Sequence, residues 1–523
     1  MTELPKGWAL AKIGDVLHGI RAGKSLKCVE RQPLANERGV IKVSAVTWGS
    51  FDETQAKTLP VSFEPAEDTS IKAGNFLFSR ANTVELVGAV VLVNKDHPNL
   101  FLSDKILRLD LEPSLKPWLL KYLQSLEGKR KLAEISTGNQ ASMRNIGQSG
   151  LKAVSVPLPP LNEQRRIVEK IEAMFERIDK GVENLRAART TLVLYRQSLL
   201  KSAFEGRLTA DWRAQNADKL EDPKTLLARI QKERDARYKA ALDDWQTALT
   251  EWRDGGEKGK KPAKPKRPED IDPQHIIADV QPEFAKDWTG LRLGELNINV
   301  SDGPFGSNLK TSDYTDSGVQ VVRLENIGYG EFIEEKQSFV SHEKYETIAR
   351  HSIYPGTIVV SSFVTDAVRS CVVPESVPVA INKADCFAVV LDGAETARDF
   401  VAYYLQSPQV FKQLEGLIHG VGRPRINTTQ LKELHFPICS PTEQTEITRI
   451  LNACLDAADK MEAEIDAALT RADALRQSIL KQAFAGKLVP QDPNDEPATT
   501  LLARIKAELA KAGKTARKGK ITA

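Results

Sequence analysis

The stretch Gly19-Ile-Arg-Ala-Gly23-Lys24-Ser25 has the residue types of a phosphate-cradling loop: glycines that admit close backbone approach, a lysine and a hydroxyl. Its spacing is wrong for that chemistry. Three residues separate the glycines where such a loop has four, and no apolar strand precedes it. The corresponding stretch of the second half, Asp302-Gly-Pro-Phe-Gly-Ser-Asn308, lacks the lysine. Both read as surface loops. His342-Glu343 has no second histidine at the spacing a helical zinc site needs, and no Gly-x-Ser-x-Gly elbow gives a nucleophile an address. There is no Asn-Pro-Pro-Tyr-type amino-methyltransferase word and no glycine-rich cofactor loop after a strand. Cys28, Cys371, Cys386, Cys439 and Cys454 are scattered, without the Cys-x-x-Cys spacing of a zinc site or a disulfide framework. Together these absences favour a binding protein over an enzyme, with no catalytic residue and no metal site to assign.

The elements that must position any binding residue are visible as a repeat. The halves align at an offset of about 280 residues. Trp8 and Gly14 fall on Trp288 and Gly294; Ile71-Lys-Ala-Gly74 and Ser79 echo Ile353-Tyr-Pro-Gly356 and Ser361; Tyr122-Leu-Gln-Ser125 recurs as Tyr404-Leu-Gln-Ser407. From Pro157 to Leu208 the match to Pro437–Leu488 is gap-free, with about 19 of about 52 positions identical. Thr225-Leu-Leu-Ala-Arg-Ile230 reappears as Thr500-Leu-Leu-Ala-Arg-Ile505. Two long repeats predict a pseudo-twofold molecule, whereas a solenoid needs many short ones.

Each repeat opens with short β-rich runs such as Gly88-Ala-Val-Val-Leu-Val93 and Thr357-Ile-Val-Val360, broken by Gly, Asn and Asp turns. A mixed α/β domain follows, its strand order unreadable. A helix with a heptad seam comes next. Ile447, Leu451, Cys454, Ala458, Met461, Ile465, Ala468, Ala472, Leu475 and Ile479 alternate four and three apart. Ile167, Ile171, Met174, Ile178, Gly181, Leu185, Ala188, Leu192, Tyr195 and Leu199 match them, with Gly181 the lapse. Such a seam in both copies predicts that the two helices pair as a coiled coil. Pro159-Pro160 and Pro441 suit the helix entrances, and Gly206 and Gly486 the ends.

The expected organisation is therefore α+β: a first domain over 1–158, a central helix over 159–207, a charged insert and linker over 208–283, a second domain over 284–438, a C-terminal helix over 439–487 and a basic tail over 488–523. The insert reads as a charged helix-like stretch to about Arg253, followed by Gly255-Gly-Glu-Lys-Gly-Lys-Lys-Pro-Ala-Lys-Pro-Lys-Arg-Pro268, too polar and proline-rich to fold. That run could touch phosphates, but such runs are usually solvated linkers, and a solvated linker is expected. The tail beyond Lys506 is expected to fray. At 523 residues the chain needs several cores. Its 73 basic against 70 acidic residues neither demand nor exclude a polyanionic partner, because local patches decide that. No apolar run is long enough for a membrane span and the start lacks signal-peptide character, so no membrane partner and a cytoplasmic location are expected.

The closing stretches of the two domains resemble those of the specificity subunits of Type I restriction-modification enzymes. Gly420-Val-Gly-Arg-Pro-Arg-Ile-Asn427, Leu431, Phe436-Pro-Ile438 and Glu443-Gln444 look like the end of a target-recognition domain entering its helix. Gly138-Asn-Gln-Ala-Ser-Met-Arg-Asn-Ile146 through Glu163-Gln164 is similar but lacks the Arg-Pro-Arg core. The word Gln-Ser-x-Leu-Lys-x-Ala-Phe-x-Gly-[Lys/Arg]-Leu closes both helices as in that family. The resemblance implies two target-recognition domains that each read half of a split, asymmetric site in double-stranded DNA. It also implies antiparallel helices acting as a ruler, two modification (methyltransferase) subunits docked on the frame, and restriction (motor-nuclease) subunits joined through them. S-adenosylmethionine, ATP and magnesium would belong to those partners, which carry out adenine methylation and restriction, and no cofactor to this chain. A helix of about 40 residues is about 60 Å long, enough to hold two domains about one duplex turn, ~34 Å, apart.

Within this reading the candidate DNA-binding residues are loop residues near the domain ends and in the early glycine-rich loops. They are Lys24, Ser25, Lys42, Arg80, Arg144 and Asn145 in the first domain, and Ser307, Asn308, Lys310, Arg323, Arg423, Arg425 and Asn427 in the second. Arg and Asn can bond guanine and adenine edges bidentately, whereas Lys more often neutralises phosphate. Two other readings compete: the specificity subunit of a different multisubunit restriction system, and a coiled-coil scaffold with protein-binding domains and no DNA contact.

Overall fold

The computed structural model describes residues 4–24, 26–140, 143–268, 270–271, 285, 287–391, 397–418 and 424–519. The chain forms two compact units, residues 1–186 with 465–523 and residues 187–464. These are not the two sequence repeats. Each long helix begins in one unit and ends in the other, so each unit combines one repeat's globular domain with the end of the other repeat's helix.

In the first unit a four-stranded antiparallel sheet has the order Leu17–Ala22, Ile106–Leu111, Phe76–Ser79, Val90–Leu92. Phe76–Ser79 is buried throughout, as a strand covered on both faces must be. A second sheet runs Ala56–Thr58, Gly39–Ile41, His97–Phe101, Ser70–Ile71, with Gly39–Ile41 and His97–Phe101 parallel. Helices Lys116–Gln124 and Leu126–Glu134 cover the domain. Ala9–Lys12 pairs with Ser155–Leu158, bringing the start of the domain beside the entrance of the central helix.

The second unit repeats the scheme. Its four-stranded sheet has the order Ile298–Ser301, Cys386–Leu391, Ile358–Ser361, Ser370–Val372. Its other sheet contains the parallel pair Val319–Val322 and Ala380–Asn382. Thr289–Arg292 pairs with His435–Ile438 as the closing ribbon. Gly74 and Gly356 precede the buried strands at φ of +77° and +84°, a left-handed turn that glycine takes without Cβ strain.

The long helices span Leu161–Phe204 and Pro441–Phe484. Their pairing is antiparallel. In the first unit Arg166 bonds Asp495 at 2.6 Å and Asp179 pairs with Arg476; in the second Arg196 meets Asp459 at 2.7 Å and Glu462 at 2.9 Å, while Thr209 bonds Glu443. The heptad seam is buried in the domain cores at Ile167, Ile171, Leu199, Ile447, Leu451 and Ile479 and is also buried outside them at Leu192, Ala458 and Ile465, while Tyr195, Met461 and Leu475 are exposed. Both helices end in the left-handed glycine motif: Gly206 has φ +71° and Gly486 +67°, with Arg207 N–H returning to Ser202 and Lys487 N–H to Gln482.

The word that closes each helix plugs a domain. In the first unit Phe484 meets Trp118 and Tyr122 with ring centroids 4.9 and 5.1 Å apart. In the second, Phe204 meets Phe400 and Tyr404, each at 5.1 Å. Edge-on packing of large aromatics adds to their burial, which explains why Ala-Phe recurs at both ends.

The helix-like stretch of the insert is helix Pro223–Asp254, and its Leu226, Leu227 and Ile230 enter the second unit's core. Two expectations change. The proline-rich run lies along this helix instead of extending as a solvated linker. The tail is helical over Ala498–Gly519, and Ala498, Leu501, Leu502 and Ile505 enter the first unit's core. The repeated word Thr-Leu-Leu-Ala-Arg-Ile is a docking segment: its apolar residues, three and four apart, share one helix face.

Candidate nucleic-acid interface

In each domain the two sheets converge where one parallel strand hands the chain to the other sheet. In the first domain this is residues 102–105. Gly23 N–H donates to Ser103 O at 3.2 Å, Arg80 N–H to Lys105 O at 3.0 Å, and Ile146 N–H to Arg80 O at 2.8 Å. Lys42 follows strand Gly39–Ile41, which runs parallel to the strand entering this connection. Four segments distant in sequence thus bring Lys24, Lys42, Arg80, Arg144 and Asn145 to one corner. A Cβ on Gly23 would sit 1.6 Å from Leu102 O, so glycine is there for a backbone crossing and not to cradle phosphate.

The second domain builds the same corner. Lys383 N–H donates to Val322 O at 2.9 Å, Ser362 N–H to Asp385 O at 2.9 Å, and Ile426 N–H to Ser362 O at 2.9 Å. A Cβ on Gly303 would lie 2.1 Å from Asn382 O. The chemistry differs. Asp302 and Asp385 stand where the first domain has Ala22 and Lys105. Burial pushes the Asp302 carboxyl up, against hydrogen bonds from the Gly303 and Asp385 amides. Arg425 pairs with Asp385 at 3.4 Å and stacks over Phe363 at 4.5 Å.

The sequence-derived residues divide by what already holds them. Lys24, Lys42 and Arg80 have no side-chain hydrogen bond or ion pair among the described residues, although Lys42 lies near enough to the Glu30 carboxylate to favour its charge. The Arg144 guanidinium bonds the carbonyls of Ser136 and Gly138, both at 2.7 Å, and the Ser136 hydroxyl at 3.0 Å, so it braces its own hairpin. Asn145 pairs with Ala81 in the same small sheet. Asn427 caps helix Thr428–Lys432 by accepting from Gln430 N–H at 2.9 Å. Arg323 bonds Glu325 at 3.2 Å and lies over Tyr314. Ser307, Asn308 and Lys310 are exposed on one loop, where the Lys310 amide bonds Asp313. Ser25 and Arg423 lie outside the described residues.

Sequence reasoning missed Lys105 and Lys383, which sit in the connections themselves without a Gly or Pro to flag them. It also missed an aromatic pair. Trp48 and Tyr329 occupy equivalent turns, 75% and 58% exposed, each before a glycine at φ +85°. In the first domain Thr47 accepts a long 3.5 Å contact from Asn82, beside the Arg144 strand. Aromatics interleaved with cations at a protein surface suit nucleic-acid bases and phosphates. The repeat offset, applied to Trp48, was the signal that could have found them.

Comparison with known proteins decides the family. The family model described as Type I restriction modification DNA specificity domain matches residues 5–185 and 286–471. The chain belongs to this family. The matched ranges correspond to the two repeats, each with the first part of its long helix. Over 227 residues the chain is 32% identical to the Type I restriction enzyme EcoKI specificity subunit of Escherichia coli (strain K12), a match covering 42% of this chain and 47% of that one. The match to the EcoEI specificity subunit of Escherichia coli is 31% identical and covers 34% of that protein, so these alignments span half of the relatives or less. The StySPI specificity subunit of Salmonella potsdam is 24% identical with 99% of both chains covered. A solved chain from a type I restriction-modification system shares the fold at 17% identity, with a TM-score of 0.59, over 93% of this chain and 100% of that one. Among the described residues no helix is long and apolar enough to cross a membrane, and no cluster of His, Cys, Asp and Glu is arranged to hold a metal ion.

Proposed function

We propose that this specificity subunit reads a bipartite, asymmetric sequence in double-stranded DNA, one half-site per domain, for modification and restriction subunits that supply the chemistry. The observation that carries the reading is the doubled corner. The same backbone crossing gathers cations and an exposed aromatic in both domains, yet Ala22 and Lys105 in one are replaced by Asp302 and Asp385 in the other. A shared scaffold with different donors and acceptors predicts two unlike half-sites. Duplication followed by divergence of the two reading surfaces gives an asymmetric site, where a homodimer would give a palindrome.

Support for partner subunits comes from the helices. Val193, Leu194, Tyr195 and Met461 in the second unit expose apolar side chains, a surface that suits a protein partner. The paired helices set the spacing between half-sites, and adenine methylation by the partners uses S-adenosylmethionine held there, with the target base flipped from the duplex. ATP and magnesium belong to the restriction subunits.

The test is to co-express the chain with its neighbouring modification subunit and map methylated adenines across host DNA by single-molecule sequencing. A split motif with two unlike halves and a fixed gap is expected. If the complex assembles, and the methylase is active with other specificity chains but leaves no motif here, the scaffold reading replaces this one.

A further inference from the structure

The proline-rich run that sequence alone makes a solvated linker is an ordered strip. Helix Pro223–Asp254 ends at Gly255, and a tight reversal through Gly256 (φ +80°) and Glu257 (φ +61°) turns the chain back along it. Trp252 Nε1 donates to Gly259 O at 3.4 Å and Trp245 Nε1 to Pro262 O at 3.1 Å. At the base of the strip Ile271 N–H donates to Gln231 at 3.1 Å, and Glu233 on the helix accepts from Asn297 of the domain at 2.7 Å.

Pro262, Pro265 and Pro268 are half-buried, and Ile271 continues the series. A period of three is that of a polyproline II strand, so one edge of the strip lies on the helix and the other edges face water. Lys258, Lys260, Lys261, Lys264, Lys266 and Arg267 occupy those edges and are exposed. None forms an ion pair with a described residue, although Lys264 lies over the Trp245 ring at 5.8 Å. Residues 258–268 contain no carboxylate.

We propose that this strip is a sequence-neutral phosphate-binding site for duplex DNA, an inference that rests on the DNA-reading function above. Gly259 (φ +88°) still belongs to the reversal, and from Lys260 to Arg267 five cations span about 22 Å at about 3.1 Å per residue. A duplex of that length carries about 13 phosphate charges, one per ~1.7 Å. The strip presents no exposed aromatic, Leu, Ile or Met, so it lacks the anchors a protein interface requires. It presents no Asn or Gln to read a base edge. Lysine-rich charge at fixed spacing on a stiff backbone matches a regular polyanion and adds affinity without information. The equivalent helix of the first unit, docked through Thr500–Ile505, also runs into basic sequence, with Lys511, Lys514, Arg517, Lys518 and Lys520.

The test uses the full chain assembled with its modification subunits. Lys260, Lys261, Lys264, Lys266 and Arg267 are changed together to Gln, and Trp245→Ala is a second variant that detaches the strip without altering its charge. Affinity for a target duplex and for a duplex without the target is measured from 50 to 300 mM salt. For the five-fold variant, binding to both duplexes is expected to fall by about 10- to 100-fold at low salt. The slope of log affinity against log salt should lessen by two to four, at ~0.9 per phosphate contact. Trp245→Ala is expected to move the same way by a smaller amount. An unchanged slope, a loss confined to the target duplex, or failed assembly with normal DNA affinity each overturns the strip's role. If the wild-type complex itself shows no preference for its mapped target, the DNA-reading function fails instead.

Discussion

The indole nitrogen of Trp288 donates to the Glu443 carboxylate at 3.1 Å, across 155 residues of sequence, and Trp8 donates to Glu163 at the same distance and the same separation. Each tryptophan opens a domain and each glutamate enters a long helix, so this bond closes the domain on itself. The two carboxylates are equally buried but unequally partnered. Glu443 also accepts from Thr209 at 2.7 Å and pairs with Arg213 at 2.7 Å. Position 493, where the offset places an Arg213 equivalent, holds proline.

Glu443→Gln is therefore expected to cost about 3 kcal/mol, because it leaves the half-buried Arg213 without its buried counter-charge. Glu163→Gln should cost under about 1 kcal/mol, since Gln still accepts the indole proton. Urea denaturation of both variants beside the wild type checks this, and equal losses would contradict the asymmetry.

The same difference gives a pH dependence. Burial pushes the Glu163 carboxyl above its ordinary 4.5, opposed by the Trp8 bond. A carboxyl with a raised folded-state pKa binds its proton more tightly in the folded chain. Its contribution is thus fullest below pH 4.5 and is lost as pH rises through the raised value. The first unit should weaken over that window, and Glu163→Gln should flatten the profile. Hydrogen exchange of the first unit's strands from pH 4.5 to 7 measures it.

Phe484→Ala and Phe204→Ala should each cost about 3–5 kcal/mol, by emptying an aromatic site in a packed core. The location is the sharper outcome. Phe484 belongs to the second repeat, yet protection should fall in Phe76–Ser79 and Ile106–Leu111; Phe204 belongs to the first, yet protection should fall in Ile358–Ser361 and Cys386–Leu391.

Arg425→Ala should weaken specific binding by about 1–3 kcal/mol with the fold intact, while Arg144→Ala should also loosen the Ser136–Asn145 hairpin. Affinity for cognate and single-base variant half-sites, together with thermal melting, separates a lost contact from a lost brace. Unchanged cognate affinity in Arg425→Ala removes it from the readers.

Adding one heptad to the central helix within 167–199, matched by one within 447–479, should lengthen the gap between half-sites and leave their bases unchanged. Methylation mapping reads both at once; altered bases with an unaltered gap would end the ruler proposal.

The sequence by itself determined the duplication, the two mixed α/β domains, the heptad helices and their glycine ends, because repeats, periodicity and turn chemistry are local properties of the chain. It also placed Lys24, Lys42, Arg80, Arg144 and Asn145 among the candidates, though not at one corner. Only the tertiary structure decided that these segments meet, since the crossing at Gly23 and Ser103 depends on strand order, which no local pattern encodes. Only the structure showed that Arg144 and Asn427 are committed to hairpin and cap, while Lys105 and Trp48 are exposed and have no side-chain partner among the described residues. It also decided that a domain is completed by the other repeat's helix. Phe204 and Phe484 are equally apolar wherever they dock, and antiparallel pairing of the helices carries each to the far repeat's aromatic pocket. The proline run was misread for a related reason: polarity and proline argue against a core, but two tryptophans on a neighbouring helix are enough to hold a polyproline strand in place.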